Sequence, residues 1–336
     1  MGSRQLTSLG LGLFMAGIIL SVAYLPQFAV VIFVSLVLNL LLSGLVDRME
    51  ARVPRLLAAF SVLFCFVLLM VVVFVILYAT VVPMGQDFVN KLPQMVASFM
   101  ALPWVKEMPI FGEEINTAWT QLTKFSVGFM SSSLSMLVSA FSRVIDIVLI
   151  LLSTYYLLAE GAKIKGWLVS LFAADQQGRI TALLENILQS LRVFIISQIK
   201  ICLLMGAVVY SYFAYRDLPY GPVFAVFSGV CEFFPLVGPV IASCFASLIM
   251  VTVSPVIGFH TIIFFLFVTQ LNHNLIYPSL VGHSLRLHPL AIILGLTLAG
   301  ELIGPLGMFL AVPTMVTLRL VVEDIHRAFV ENETNE

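Results

Sequence analysis

Uncharged stretches too long for a helix of a soluble domain dominate the chain. From Gln5 to Val46 and from Leu56 to Gln86 no residue is formally charged, and between Leu218 and Leu318 only Glu232, Arg286 and Glu301 are. A helix that crosses a bilayer needs about 20 predominantly apolar residues. The first stretch therefore holds two helices, Leu9 to Leu25 and Phe28 to Val46, divided at Pro26-Gln27. Leu56 to Val82 supplies a third span, Leu134 to Ala159 a fourth, and a fifth ends near Arg216. Gly221 to Val253, Ile257 to Tyr277 and His288 to Val322 follow. The pattern predicts an all-α polytopic integral membrane protein of about eight hydrophobic elements.

Two segments depart from this pattern. Residues 83–133 carry Pro83, Pro93, Pro103 and Pro109 with Trp104, Phe111 and Trp119, rings of the kind that sit at lipid headgroups, and read as an interfacial, extracytoplasmic insert. In residues 160–192, Ile180, Leu183, Leu184, Ile187, Leu188 and Leu191 recur at helical spacing with Glu185, Asn186, Gln189 and Ser190 opposite, which predicts an amphipathic helix. The chain thus divides into an N-terminal three-span unit (1–82), the insert (83–133) and a transport core (134–336).

Composition agrees: 60% of residues are hydrophobic and 10% charged, against about 25% charged in soluble domains. With both termini, the Arg48 loop and residues 160–192 in the cytoplasm, ten of the 17 Lys and Arg lie inside, as the positive-inside rule requires. Cys65, Cys202, Cys231 and Cys244 lie in apolar runs without metal-ligand spacing, so neither disulfides nor a metal site are expected. No cofactor motif and no basic array for nucleic acid is present, and HExxH, GxGD and GxSxG are missing, which argues against an enzyme.

The candidate chemistry lies in the C-terminal half. Gly221 to Val253 as one helix would be about 50 Å long, against a hydrocarbon core of about 30 Å. It is interrupted at CEFFPLVGPV, where Pro235 and Pro239 each remove a donor and Gly238 permits a tight turn. A second interruption follows near 300–307, at Glu301, Gly304 and Pro305. Broken or re-entrant helices are tolerated at membrane depth only where they are buried or line a polar cavity, and a pair of them points to a substrate site. Between the two breaks Gln270, Asn272, His273, Asn274, His283 and Arg286 crowd together. Glu232 and Glu301 read either as structural carboxylates or as substrate or coupling groups. Asn272 and Asn274 read equally as helix-to-helix hydrogen-bonding groups or as substrate contacts. Arg143 with Asp146 reads as a structural ion pair.

Gln270 and Asn274, Pro278, Gly282, His288-Pro289, Gly304, Gly307 and Ala311-Val312-Pro313 resemble the closing signature of the autoinducer-2 exporter family. Gln198, Leu218-Pro219-Tyr220 and Pro235-Leu236-Val237-Gly238-Pro239 are similar to that family's earlier landmarks. The resemblance implies a secondary transporter that exports a small polar signalling molecule such as autoinducer-2, used in quorum sensing, by alternating access driven by an ion gradient. The alternative it implies is sodium or lithium exchange for protons. It also implies a homo-oligomer in the lipid bilayer, a pentamer being one form. The candidate substrate or ion-coupling residues are Glu232, Pro235, Gly238, Pro239, Gln270, Asn272, Asn274, Glu301, Gly304 and Pro305.

Overall fold

In the computed structural model, residues 10–13, 17, 26–100, 121, 144–234, 237–281 and 288–333 are described. The expected first helix, the insert beyond Met100, Arg143, Pro235, His283 and Arg286 lie largely or wholly outside them. The described residues form helices α1 (Pro26–Glu50), α2 (Arg55–Met100), α3 (Val144–Ser170), α4 (Gln177–Tyr215), α5 (Gly221–Cys231), α6 (Val237–Val253) and α7 (Pro255–Leu271). A π turn (Asn272–Ile276), α8 (Tyr277–Val281), α9 (Pro289–Ile303) and α10 (Pro305–Glu333) complete the chain, and no strand occurs among them. Among the described residues five helices are long and apolar enough to cross a bilayer, and Gly221–Cys231, Val237–Val253 and Leu290–Leu302 are shorter apolar helices. The protein is an all-α polytopic membrane protein.

Two compact units emerge, one from Met1–Val67, Ile145–Ser197 and Val281–Glu336, the other from Leu68–Val144 and Gln198–Leu280. In the first, α1, the start of α2 and α3 close on Leu42, Val46, Ala58, Ala59 and Leu158. Ser35 Oγ donates to the Ile150 carbonyl at 3.2 Å, and Arg55 Nε donates to the Leu158 carbonyl at 2.9 Å. The amphipathic stretch opens α4 and buries Ile180, Leu183, Ile187 and Leu191. Arg179 Nη2 lies 2.6 Å from Asp324 Oδ2 on α10, and neither side chain is more than 21% exposed. Between α9 and α10 the chain reverses at Gly304, whose φ of 71° is open to glycine and strained for other residues.

Helix α2 does not stop at Pro83 but continues to Met100 with Pro83 and Pro93 inside it. A proline removes a single intrahelical bond, and the helical turns on either side keep theirs, so a long helix can run on through it. From Leu68 to Tyr78 the large side chains are exposed, as a lipid-facing surface requires.

The second unit is built around aromatic rings. Phe88, Phe213, Phe224, Phe227, Phe245 and Phe265 pack with Ile249 and Met250. The turn joining α4 to α5 is tight, with Asp217 and Tyr220 both in the left-handed region at φ 50° and 62°. What holds Tyr220 in that unfavourable conformation is its side chain: the ring meets Phe88 edge-on at 5.1 Å, and the hydroxyl donates to Asp87 at 3.1 Å. Helices α4 and α5 cross at glycines. A Cβ on Gly229 would stand 2.9 Å from the Cys202 carbonyl oxygen, and one on Gly206 would stand 3.2 Å from that of Ala225. Small residues at a crossing let two membrane helices approach backbone to backbone.

Candidate functional site

Helix α5 ends inside the apolar run. Its last bonds tighten as the Phe233 amide donates to Val230 and the Phe234 amide to Cys231, each spanning three residues. The chain turns and restarts at α6, where the Gly238 amide donates to Phe234 at 2.8 Å. Gly238 lies against the Cys231 carbonyl so closely that no Cβ could be accommodated, and both Gly238 and Pro239 are buried. This break places Glu232 in the interior, 5% exposed.

Three elements converge on Glu232. Gln198 of α4, 3% exposed, donates from Nε2 to the Glu232 main-chain carbonyl at 2.5 Å, just past the end of α5. Asn272, 1% exposed, donates from Nδ2 to the Glu232 carboxylate at 3.2 Å. Asn272 opens the π turn, in which the Tyr277 amide reaches back five residues to the Asn272 carbonyl. Pro278, next along, has no N–H for the Asn274 carbonyl four residues back, so the local ladder is already interrupted there. The Tyr277 phenol and the Cys202 and Cys231 thiols lie within electrostatic reach of Glu232.

This is a buried polar cluster short of donors. Gln198 Oε1, Asn272 Oδ1 and Ser228 Oγ are buried without hydrogen-bond partners among the described residues. Among the described residues no cationic side chain pairs with Glu232. A buried carboxylate with one amide donor and no counter-charge is costly, as are acceptors left without donors. Such an arrangement can accept a ligand that carries O–H or N–H groups, or a cation.

The other candidate residues are placed differently. Gln270 and Asn274 are exposed and bond to each other at 3.1 Å, one helical turn apart. Glu301 is exposed on α9 and makes no side-chain bond among the described residues; Gly304 forms the joint and Pro305 begins α10. Pro235 lies outside the described residues. Gln198, Ser228 and Tyr277 join the pocket although sequence reasoning did not select them as site residues. The available signal was a glutamine within the apolar run VFIISQIKICLL.

Apolar helices of spanning length, together with two shorter ones that meet at a buried acid bonded by two amide side chains, define a polytopic membrane protein with a buried polar cluster. A model of the AI-2E family transporter matches residues 12–327, and the chain belongs to that family; it is a membrane transporter. It is 24% identical to YueF of Bacillus subtilis (strain 168) over 305 residues, 87% of this chain and 82% of that one. With YrrI of the same organism it shares 30% over 199 residues, 58% of this chain and 56% of the relative. AI-2 transport protein TqsA of Escherichia coli (strain K12) is 24% identical over 320 residues, 92% of this chain and 88% of its own.

Proposed function

We propose that this protein exports a small polar signalling molecule of the autoinducer-2 type across the bacterial inner membrane, by alternating access coupled to an ion gradient. The observation that carries the proposal is the Glu232 pocket. Its unpartnered oxygens, Gln198 Oε1, Asn272 Oδ1 and Ser228 Oγ, suit a neutral solute rich in hydroxyl donors, such as a furanosyl diol. Its lone carboxylate disfavours an anion. Asn272 fixes the carboxylate, and Gln198 holds the break in place. Gly238 and Pro239, with Pro235, shape the interruption. Gln270 and Asn274 act as contacts along the route, and Glu301, Gly304 and Pro305 contribute the second interruption. Both termini are cytoplasmic in this reading, and the working form is a homo-oligomer.

The name of TqsA supports autoinducer-2 as the first solute to try. The test is flux of labelled autoinducer-2 in proteoliposomes under an imposed proton or sodium gradient, comparing the native protein with Glu232→Gln. Gradient-dependent flux that falls at least about tenfold in the variant supports the reading. Equal flux in both removes the pocket from the pathway. A second reading has one observation in its favour: a carboxylate among amide and hydroxyl oxygens also suits a monovalent cation, as in a sodium (lithium)/proton antiporter. Sodium-dependent proton movement without any organic solute would select it.

A further inference from the structure

We propose that Arg192 and Arg48 form a phosphate-binding site where α1 and α4 leave the apolar layer, filled by the headgroup of an anionic phospholipid or by a free phosphate. Arg192 is partly buried on α4 at the point where the amphipathic stretch gives way to the run VFIISQIKICLL. Its guanidinium lies across Gly44 of α1, so close that a Cβ at position 44 would stand 2.6 Å from Arg192 Nη2. Gly44 is therefore the floor of a notch that holds this cation between two helices of one unit.

Nothing within the described residues answers that charge. Arg192 has no hydrogen-bond or ion-pair partner among them, and neither has Arg48, which lies one turn beyond Gly44 on the same face of α1. The nearby acids are engaged elsewhere. Asp47 and Glu50 lie 3.3 and 2.6 Å from Arg55 Nη1, and Glu185, two turns before Arg192, pairs with Lys165. Arg52 adds a further cation just past the end of α1. The patch therefore holds four guanidiniums, from Arg48, Arg52, Arg55 and Arg192, against two carboxylates.

The chemistry of that excess selects the ligand. A guanidinium presents a planar fork that matches two phosphate oxygens, and it sheds its hydration more readily than an ammonium does. Basic pockets between helices at the edge of the apolar layer recognise phospholipid headgroups, whose phosphates lie at that depth. A carboxylate ligand would satisfy one fork; a phosphate can bridge both.

The experiment is native mass spectrometry of the purified full-length chain in detergent, titrated with phosphatidylglycerol and, separately, with phosphatidylcholine, with and without millimolar inorganic phosphate. The native protein retains phosphatidylglycerol in preference to phosphatidylcholine, and Arg48→Gln/Arg192→Gln weakens retention by about tenfold or more, the scale of one lost charge-assisted contact. Arg192→Lys falls between the two, because an ammonium keeps the charge without the fork. Gly44→Ala gives a second, charge-neutral variant: its methyl group evicts the guanidinium and lowers retention even if the double variant fails to fold. Competition by inorganic phosphate identifies a site that also takes the free ion, whereas retention unaffected by it assigns the site to lipid. Equal retention by the native protein, the folded double variant and Gly44→Ala, with no effect of inorganic phosphate on any of them, overturns the proposal.

Discussion

Asn272 Nδ2 lies 3.2 Å from Glu232 Oε2, and this amide is the one side chain among the described residues that donates to the buried carboxylate group. The two residues are separated by the whole of α6 and α7, so the pair ties the break after α5 to the π turn. The donor end of the amide is occupied by the carboxylate. The acceptor end, Oδ1, is therefore directed elsewhere and remains unpartnered.

Replacing Glu232 by Gln is expected to leave the fold intact while removing the function. The glutamine carbonyl still accepts from Asn272, and the cost of burying a charge disappears, so thermal stability stays level or rises. Flux in proteoliposomes falls about tenfold or more if the carboxylate takes part in transport. Parallel melting and transport measurements on one preparation check both halves of the expectation.

Asn272→Ala should behave in the opposite way with respect to stability. It strips the carboxylate of its amide donor, a loss of about 1–3 kcal/mol for a buried group. Asn272→Asp should cost more, because it sets two acids side by side. A double-mutant cycle with Glu232→Gln isolates the pairwise contribution, and the loss caused by Asn272→Ala should shrink once residue 232 is neutral.

The glycine crossing makes a steric prediction. Gly229→Ala places its methyl group 2.9 Å from a main-chain oxygen that cannot rotate away, so α4 and α5 must separate, at a cost of about 1–3 kcal/mol. Gly206→Ala, at 3.2 Å, should cost less. Thermal unfolding of the two variants in the same detergent gives the order directly.

In the other unit, Arg179 and Asp324 hold the start of α4 to α10 through a partly buried pair. Asp324→Asn should lower stability by about 1–2 kcal/mol, between the values for exposed and buried pairs. Exchanging the two residues, Arg179→Asp with Asp324→Arg, should recover part of the loss if the bond between them is what matters. A melt of each single variant beside the exchange decides it.

How much of this was legible in the sequence depends on the range of the interaction responsible. The apolar elements and the two interruptions were readable because lipid imposes length and proline removes donors, both local properties of the chain. Glu232 and Asn272 stood out because polar groups are rare in such surroundings. Their contact was not legible, since no periodicity connects residues forty positions apart, and neither was the role of Gln198, which arrives from a different helix. The third span was ended at Val82, with Pro83 opening the insert, yet the helix runs on to Met100, because the local penalty of a proline is outweighed by continuous helix on both sides. Gln270 and Asn274 belonged to the same dense polar segment as Asn272, but two residues either way is about half a helical turn, which leaves them on the opposite face, exposed and bonded to each other.

The contact at Gly206 and Gly229 bears on which side of the proposed site is free to rearrange. With main chain pressed on main chain and no side-chain cushion between, α4 and α5 have little freedom to slide or part, and this ties Gln198 to the helix that ends at Glu232. The pliable side is that of Asn272, held by a turn wound one residue too wide. Rewinding that turn to ordinary α-helical pitch would swing the amide off the acid and leave the carboxylate to the next donor that enters.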